Sequence, residues 1–359
     1  MRAGFLLDPD VVYLNHGGYG ACPVEVFEEY QRWQRELERQ PTDFFLRKHN
    51  RWFWDAAGSG FIDEARASLA AFVGARAEDL VFVPNATAGL NAVIRSLRIR
   101  PEEEILTTKH EYGAVDRTLS FIRANVVHCE PEELVGSIGV RTRAILVSHI
   151  TSPTALVLPF EEICAAARRA GVLSIVDGAH APGHVPLDLA SLGADIYAGN
   201  CHKWLCAPKG SGFLWARPEH QEWIEPLVVS WGYHEEADFG ERHGWQGTLD
   251  PAAYLAVPKA IEVHGTFDLV GAEELADEVE RRLAGRRLRA VEGVRAPFMR
   301  AIELPAGDPF ALWRRLIEEH RIEVPVYERD ERRIMRVSIG PYNDESDVDR
   351  LVTAISELL

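Results

Sequence analysis

Basic residues are in short supply in this chain. Among 359 residues, 39 Lys and Arg face 55 Asp and Glu, a formal net charge of 39 − 55 = −16. Nucleic acid and anionic membrane both call for a basic surface, so neither is expected as the main partner. Cysteine is also scarce: Cys22, Cys129, Cys164, Cys201 and Cys206 form no Cys-x-x-Cys pair and no dense, even spacing. That excludes a disulfide framework and a zinc site, and no metal ligand set is expected. No apolar run approaches the roughly 18 residues of a membrane span. The apolar patch within residues 1–10 is too short for a signal peptide. A cytoplasmic location fits these absences. There is no internal repeat and no low-complexity linker. No Gly-x-Gly-x-x-Gly follows an early strand, which removes the dinucleotide-binding fingerprint.

What is present reads as an α/β enzyme. The length supports a large core and two domains. Residues 24–40 are charge-rich and helix-prone. From about 61 to 216, apolar runs of strand length (80–84, 104–108, 144–148, 172–176, 194–198, 212–216) alternate with helical segments such as 86–98 and 159–170. This pattern predicts a mostly parallel sheet flanked by helices, with ligands bound beyond the carboxyl ends of its strands. After about residue 255 come a helix (272–289), a strand (298–304), a helix (308–320), strands at 322–327 and 334–339, and a final helix (345–358). The expected organisation is an N-terminal segment (1–24) near the site, a large domain (25–254) and a smaller α+β domain (255–359).

Lys203 is the residue with the most chemical meaning. It follows an apolar strand in Ala198-Gly199-Asn200-Cys201-His202-Lys203-Trp204, and Asp177 closes another in Ile175-Val176-Asp177-Gly178-Ala179-His180. Burial disfavours a charged lysine, and a lysine made partly neutral is a nucleophile able to form a Schiff base. An aspartate on a neighbouring strand can hold the protonated pyridine nitrogen of pyridoxal phosphate (PLP). Taken alone, each residue reads more readily as an ordinary strand-end lysine or aspartate; the other segments reverse that balance.

Pro84-Asn85-Ala86-Thr87-Ala88-Gly89 follows a strand and opens a helix. Its small residues let backbone N–H groups approach a phosphate, which the helix N-terminus favours. His202 can add a phosphate contact or shape the lysine pocket. His110 or Tyr112 can stack on the cofactor ring. Ser152, Thr154 and His180 can meet its phenolic oxygen. Trp245-Gln246-Gly247-Thr248 lies in a long irregular stretch, 231–250, of the kind that is often functional. Arg336 interrupts an apolar strand and can take a carboxylate through two parallel bonds.

Together these pieces resemble the fold-type-I PLP enzymes of the class V aminotransferase group, and within it the isopenicillin N epimerase-like branch. The segments that carry the resemblance are Leu14-Asn15-His16-Gly17-Gly18, Asn85-Ala86-Thr87, His110-Glu111-Tyr112-Gly113-Ala114, Asp177-Gly178-Ala179-His180, His202-Lys203-Trp204 and Gly247-Thr248. The resemblance implies that Lys203 carries the internal aldimine and moves protons at the substrate Cα. It implies that Asp177 holds the ring nitrogen protonated, and that Ala86, Thr87, Asn200 and His202 bind the phosphate. It places Thr248 on the phosphate of a second subunit in a homodimer. It assigns ring stacking to His110 or Tyr112, with alignment favouring His110, and contact with the ring oxygen to Ser152 and His180. Arg336 would grip the substrate α-carboxylate, with Asn15 or His16 nearby.

Two departures narrow the reaction. No cysteine follows Cys206, so the mobile-loop persulfide chemistry of related desulfurases is not expected. Leu249 follows the Gly-Thr pair where many epimerase-like members carry arginine. The expected activity is epimerisation of a small amino acid. The alternatives are C–S β-lysis (or desulfurase-like chemistry), transamination, and non-catalytic PLP binding.

Overall fold

A computed structural model describes residues 2–49, 60–284 and 288–359. Its strands in chain order are β1 (Val12–Tyr13), β2 (Leu80–Val83), β3 (Glu104–Thr108), β4 (Val126–Cys129), β5 (Thr142–Ser148), β6 (Leu173–Gly178), β7 (Ile196–Asn200), β8 (Gly212–Ala216), β9 (Arg289–Ala290), β10 (Met299–Leu304), β11 (Ile322–Glu323), β12 (Val326–Arg329) and β13 (Arg332–Ser338). Seven of them form one sheet in the order β2-β8-β7-β6-β5-β3-β4. Only β8 runs antiparallel to its neighbours in that sheet.

Successive side chains alternate between the two faces of this sheet. Leu80, Phe82, Leu106, Val147, Val176 and Tyr197 pack on one side with Leu69, Ile163 and Leu189. Val81, Val83, Ile105, Leu146, Ile175 and Ile196 pack on the other with Leu90, Val93 and Leu119. Both faces are covered, which is why these strands carry apolar residues on both sides instead of alternating strictly with polar ones. The six expected runs fall on β2, β3, β5, β6, β7 and β8. β4 was not expected. It is a short edge strand with His128 exposed and Val126 and Val127 half-buried, so it shows little apolar pattern.

The smaller body is a four-stranded antiparallel sheet, β12-β13-β10-β9, with helices Leu269–Ala284, Pro309–His320 and Glu345–Leu358. Two expectations need correction. The helix read as 272–289 ends at Ala284 in the described residues, and Arg289–Ala290 is a strand. Leu288 and Val291 are buried there while Arg289 points outward. Val291 N–H bonds Ala301 O at 2.9 Å, so pairing with β10 overrides helical propensity. The strand read as 322–327 is two strands. Pro325, which lacks an N–H, separates β11 from β12, and the two join different sheets.

The N-terminal segment is held to this smaller body. β1 pairs in parallel with β11, and Ser338 N–H bonds Leu14 O at 2.8 Å. Val12 and Leu14 share a core with Leu316, Ile322 and Val337. The chain then passes beneath Lys203. Gly20 has φ +69°, and a Cβ there would lie 1.9 Å from His202 O, so only glycine fits this close approach. The helix Val257–His264 packs with the large sheet, since Val257, Ala260 and Val263 share the core of Leu69 and Val73. Among the described residues no helix is long and apolar enough to cross a membrane.

Candidate active site

The carboxyl ends of β5, β6 and β7 bring Ser148, Asp177 and Asn200 side by side: Ser148 lies in register with Asp177, and Asp177 with Ala198. A cavity of about 190 Å³ opens above them. Ala86, Thr87, Tyr112, Ser152, Asp177, His180, Asn200, His202 and Lys203 all line it, so the structure gathers most of the expected constellation. Tyr19 and Ser148 line it too, and neither was singled out from the sequence.

Lys203 Nζ lies 3.1 Å from His180 Nε2. Its amine is pulled down to about 7, first by burial and then by the Arg336 guanidinium, against the pull of Asp177. Asp177 Oδ1 accepts the Ala179 N–H at 2.8 Å. Burial pushes its carboxyl upward, and this bond and Lys203 oppose the push. A buried carboxylate that hydrogen-bonds no cation among the described residues suits a protonated ring nitrogen.

At the other end of the cavity Asn85 caps the helix Ala86–Ser96, its Oδ1 taking the Ala88 N–H at 2.9 Å. Asn200 Oδ1 accepts the Ala86 N–H at 2.8 Å, so these two expected phosphate contacts are engaged with each other. The exposed Thr87 remains on the rim. His202 Nδ1–H donates to Ser211 O at 3.1 Å. Burial brings this imidazole down to about 4; a phosphate dianion beside it would favour the charged form, with both ring nitrogens donating.

The remaining expected residues lie off the cavity wall. His110 Nδ1 pairs with Thr154 Oγ1 at 2.8 Å, while Tyr112 reaches the cavity. His16 is fully buried beneath Lys203, its Nε2–H donating to Lys203 O at 3.1 Å and its Nδ1 accepting from Tyr342 OH at 3.1 Å. Arg336 sits behind Ser152, donating to Ser152 O at 2.7 Å, Ser152 Oγ at 3.0 Å and Asn15 Oδ1 at 3.4 Å. Its buried Nε has no hydrogen-bond partner among the described residues. Thr248 is exposed and is not a wall residue.

Sequence reasoning passed over Glu111. It is 4% exposed, and its Oε1 accepts from Ser148 Oγ and Tyr112 N–H, both at 2.7 Å. Its Oε2 has no partner among the described residues. The one available signal was an acidic residue inside the recognised His110-Glu111-Tyr112 segment. The set of donors suits PLP: an amine for the aldehyde, a carboxylate for the ring nitrogen, and a helix N-terminus with a hydroxyl and an imidazole for the phosphate.

Known proteins resemble this chain along most of its length. Residues 55–351 match the family model described as aminotransferase class-V. The isopenicillin N epimerase of Streptomyces clavuligerus is 36% identical, over 99% of this chain and 97% of its own. A probable chloroplastic L-cysteine desulfhydrase of Arabidopsis thaliana is 27% identical, over 98% of this chain and 84% of its own. Among solved structures, a C-DES mutant with glycine covalently linked to the PLP cofactor superposes with a TM-score of 0.82. It is 22% identical, with 99% of each chain covered.

Proposed function

Because this chain belongs to the class-V aminotransferase family, we propose that it is a PLP-dependent amino-acid epimerase. The observation that carries this reading is the depressed amine of Lys203 in one cavity with the buried Asp177. The full-length likeness to an epimerase favours that reaction over the alternatives. Bound there, PLP withdraws electrons from the substrate Cα. The protein's own groups do the rest. Lys203 exchanges a proton at Cα, Asp177 keeps the ring nitrogen protonated, and Arg336 orients the substrate α-carboxylate. Epimerisation also needs a proton donor on the opposite face. Tyr19 and Tyr112, 69% and 47% exposed on the cavity wall, supply the phenol groups for this role. Thr248, exposed on its loop, contacts the phosphate of a second copy in a homodimer.

C–S β-lysis is the second reading, favoured by the desulfhydrase relative. A persulfide relay is disfavoured. Cys201 and Cys206 are buried, and burial holds both thiols well above their usual range.

The deciding experiment supplies the holoprotein with L-amino acids and L-cysteine conjugates in D2O. An epimerase yields the D-isomer carrying deuterium at Cα. Pyruvate with released thiol would replace this reading by the lyase, and a keto acid by transamination. Arg336→Lys is expected to raise KM about tenfold or more while kcat changes less, because a point charge cannot reproduce the two-pronged grip. An unchanged KM would remove Arg336 from the substrate site.

A further inference from the structure

Trp204 follows the reactive lysine in sequence, and its ring is buried. Its Nε1 lies 3.3 Å from His180 Nδ1. An indole N–H can only donate, so His180 Nδ1 must present a lone pair. The single proton of a neutral imidazole then sits on Nε2, the nitrogen 3.1 Å from Lys203 Nζ. Burial and the neighbouring Lys203 keep His180 neutral by holding it well below its usual range.

The indole cannot turn away easily. The His184 ring lies 4.1 Å from it, centroid to centroid, with His16 at 5.0 Å and Phe298 at 5.7 Å. His184 is itself fixed, with Nδ1–H donating to His180 O at 3.0 Å and Nε2 accepting the Phe298 N–H at 2.9 Å. A run of unambiguous donors and acceptors thus leads from the β10 end of the smaller sheet to the lysine.

We propose that Trp204 is a positioning residue whose indole N–H locks His180 in the Nε2–H tautomer, so that the cavity wall beside Lys203 always offers a hydrogen-bond donor. This donor meets the lone pair of the neutral amine in the free protein. With the cofactor in place, it is the group suited to an anionic ring oxygen. The opposite tautomer would set two N–H groups against each other in a buried space, and is disfavoured by at least about tenfold. The inference rests on Lys203 being the reacting amine only for its consequence, not for the tautomer itself.

Nitrogen-15 NMR of the full-length protein labelled at histidine and tryptophan tests it. The expected result is a His180 Nδ1 shift of acceptor type, a protonated Nε2, and a through-hydrogen-bond coupling between the Trp204 indole nitrogen and Nδ1. A protonated Nδ1 would overturn the proposal, and this measurement needs no variant. Trp204→Phe is expected to give a mixture of His180 tautomers; an unmoved tautomer would also overturn it. Activity supplies a second readout. Trp204→Phe should lower kcat/KM at least tenfold in the parent protein, but no more than about threefold in the His180→Leu background, where no polar group is left for the indole to orient. Equal losses in both backgrounds would mean that Trp204 acts by packing alone. A locked tautomer in a protein that takes up no PLP would sink the cofactor reading and leave this one standing.

Discussion

Lys203→Ala is expected to lower turnover by at least about 10⁴-fold without unfolding the protein. The amine sits where burial and Arg336 bring it down from 10.5 to about 7. A lysine lowered in this way destabilises the fold wherever it must carry charge. Between about pH 7 and 10.5 the unfolded chain binds the extra proton, so this group's contribution to stability rises with pH across that window. At pH 7 and below, the alanine variant is relieved of that cost, and its melting temperature should equal or exceed the parent's. The same depression makes a kinetic prediction. PLP uptake by the cofactor-free parent should rise about tenfold per pH unit below 7, as the neutral amine forms, and level off above it. Melting of the cofactor-free proteins, and turnover of the same preparations after PLP is added, decide the matter. A variant that keeps full activity would end the assignment, and uptake that keeps rising to pH 10 would show an ordinary, solvated lysine.

Lys203 and Asp177 were legible in the sequence because each lies at the end of a largely apolar run of strand length. Such runs become central strands, and the residue just past a central parallel strand faces the ligand. Asn85 and Thr87 were legible for a related reason, since a strand running into small residues and then a helix marks an anion-ready N-terminus. What could not be read was the direction of side chains that leave irregular segments. His110 and Tyr112 are two apart in one loop, and only tertiary packing turns His110 toward Thr154 and Tyr112 into the cavity. His16 behaves similarly: its segment was expected near the site, but pairing of β1 with β11 places the ring under the Lys203 carbonyl instead of on the wall. In the smaller sheet, Pro325 split a strand that the apolar pattern had joined. Glu111 and Trp204 share one reason for escaping notice. Their roles depend on partners far away in sequence, Asp177 and His180, and no local period or spacing encodes those meetings.

Glu111→Gln should flatten the dependence of stability on pH. Glu111 is buried beside a second buried carboxyl. Desolvation first, and then the Asp177 charge, push its pKa up to about 8, against the Ser148 and Tyr112 hydrogen bonds that favour the carboxylate. Two carboxyls so placed share one buried space, and the structure gives Glu111 Oε2 no partner among the described residues to stabilise a charge. The sign follows from which state holds the proton. From the ordinary value of 4.5 up to about 8, folded Glu111 keeps a proton that the unfolded chain has lost. Its stabilising contribution is therefore complete below about pH 4.5 and is lost progressively as the pH rises toward 8. The glutamine keeps the shape and can still accept from Ser148, but it has no proton to lose. Its stability relative to the parent should thus grow steadily from pH 5 to pH 8. Urea unfolding of both proteins at pH 5, 6.5 and 8 measures that difference. The contribution of Lys203 is common to both and largely cancels. Parallel curves would show that Glu111 ionises like a solvated carboxylate. Asp177 would then face a permanent negative neighbour, and the buried proton would have to be assigned to Asp177 itself.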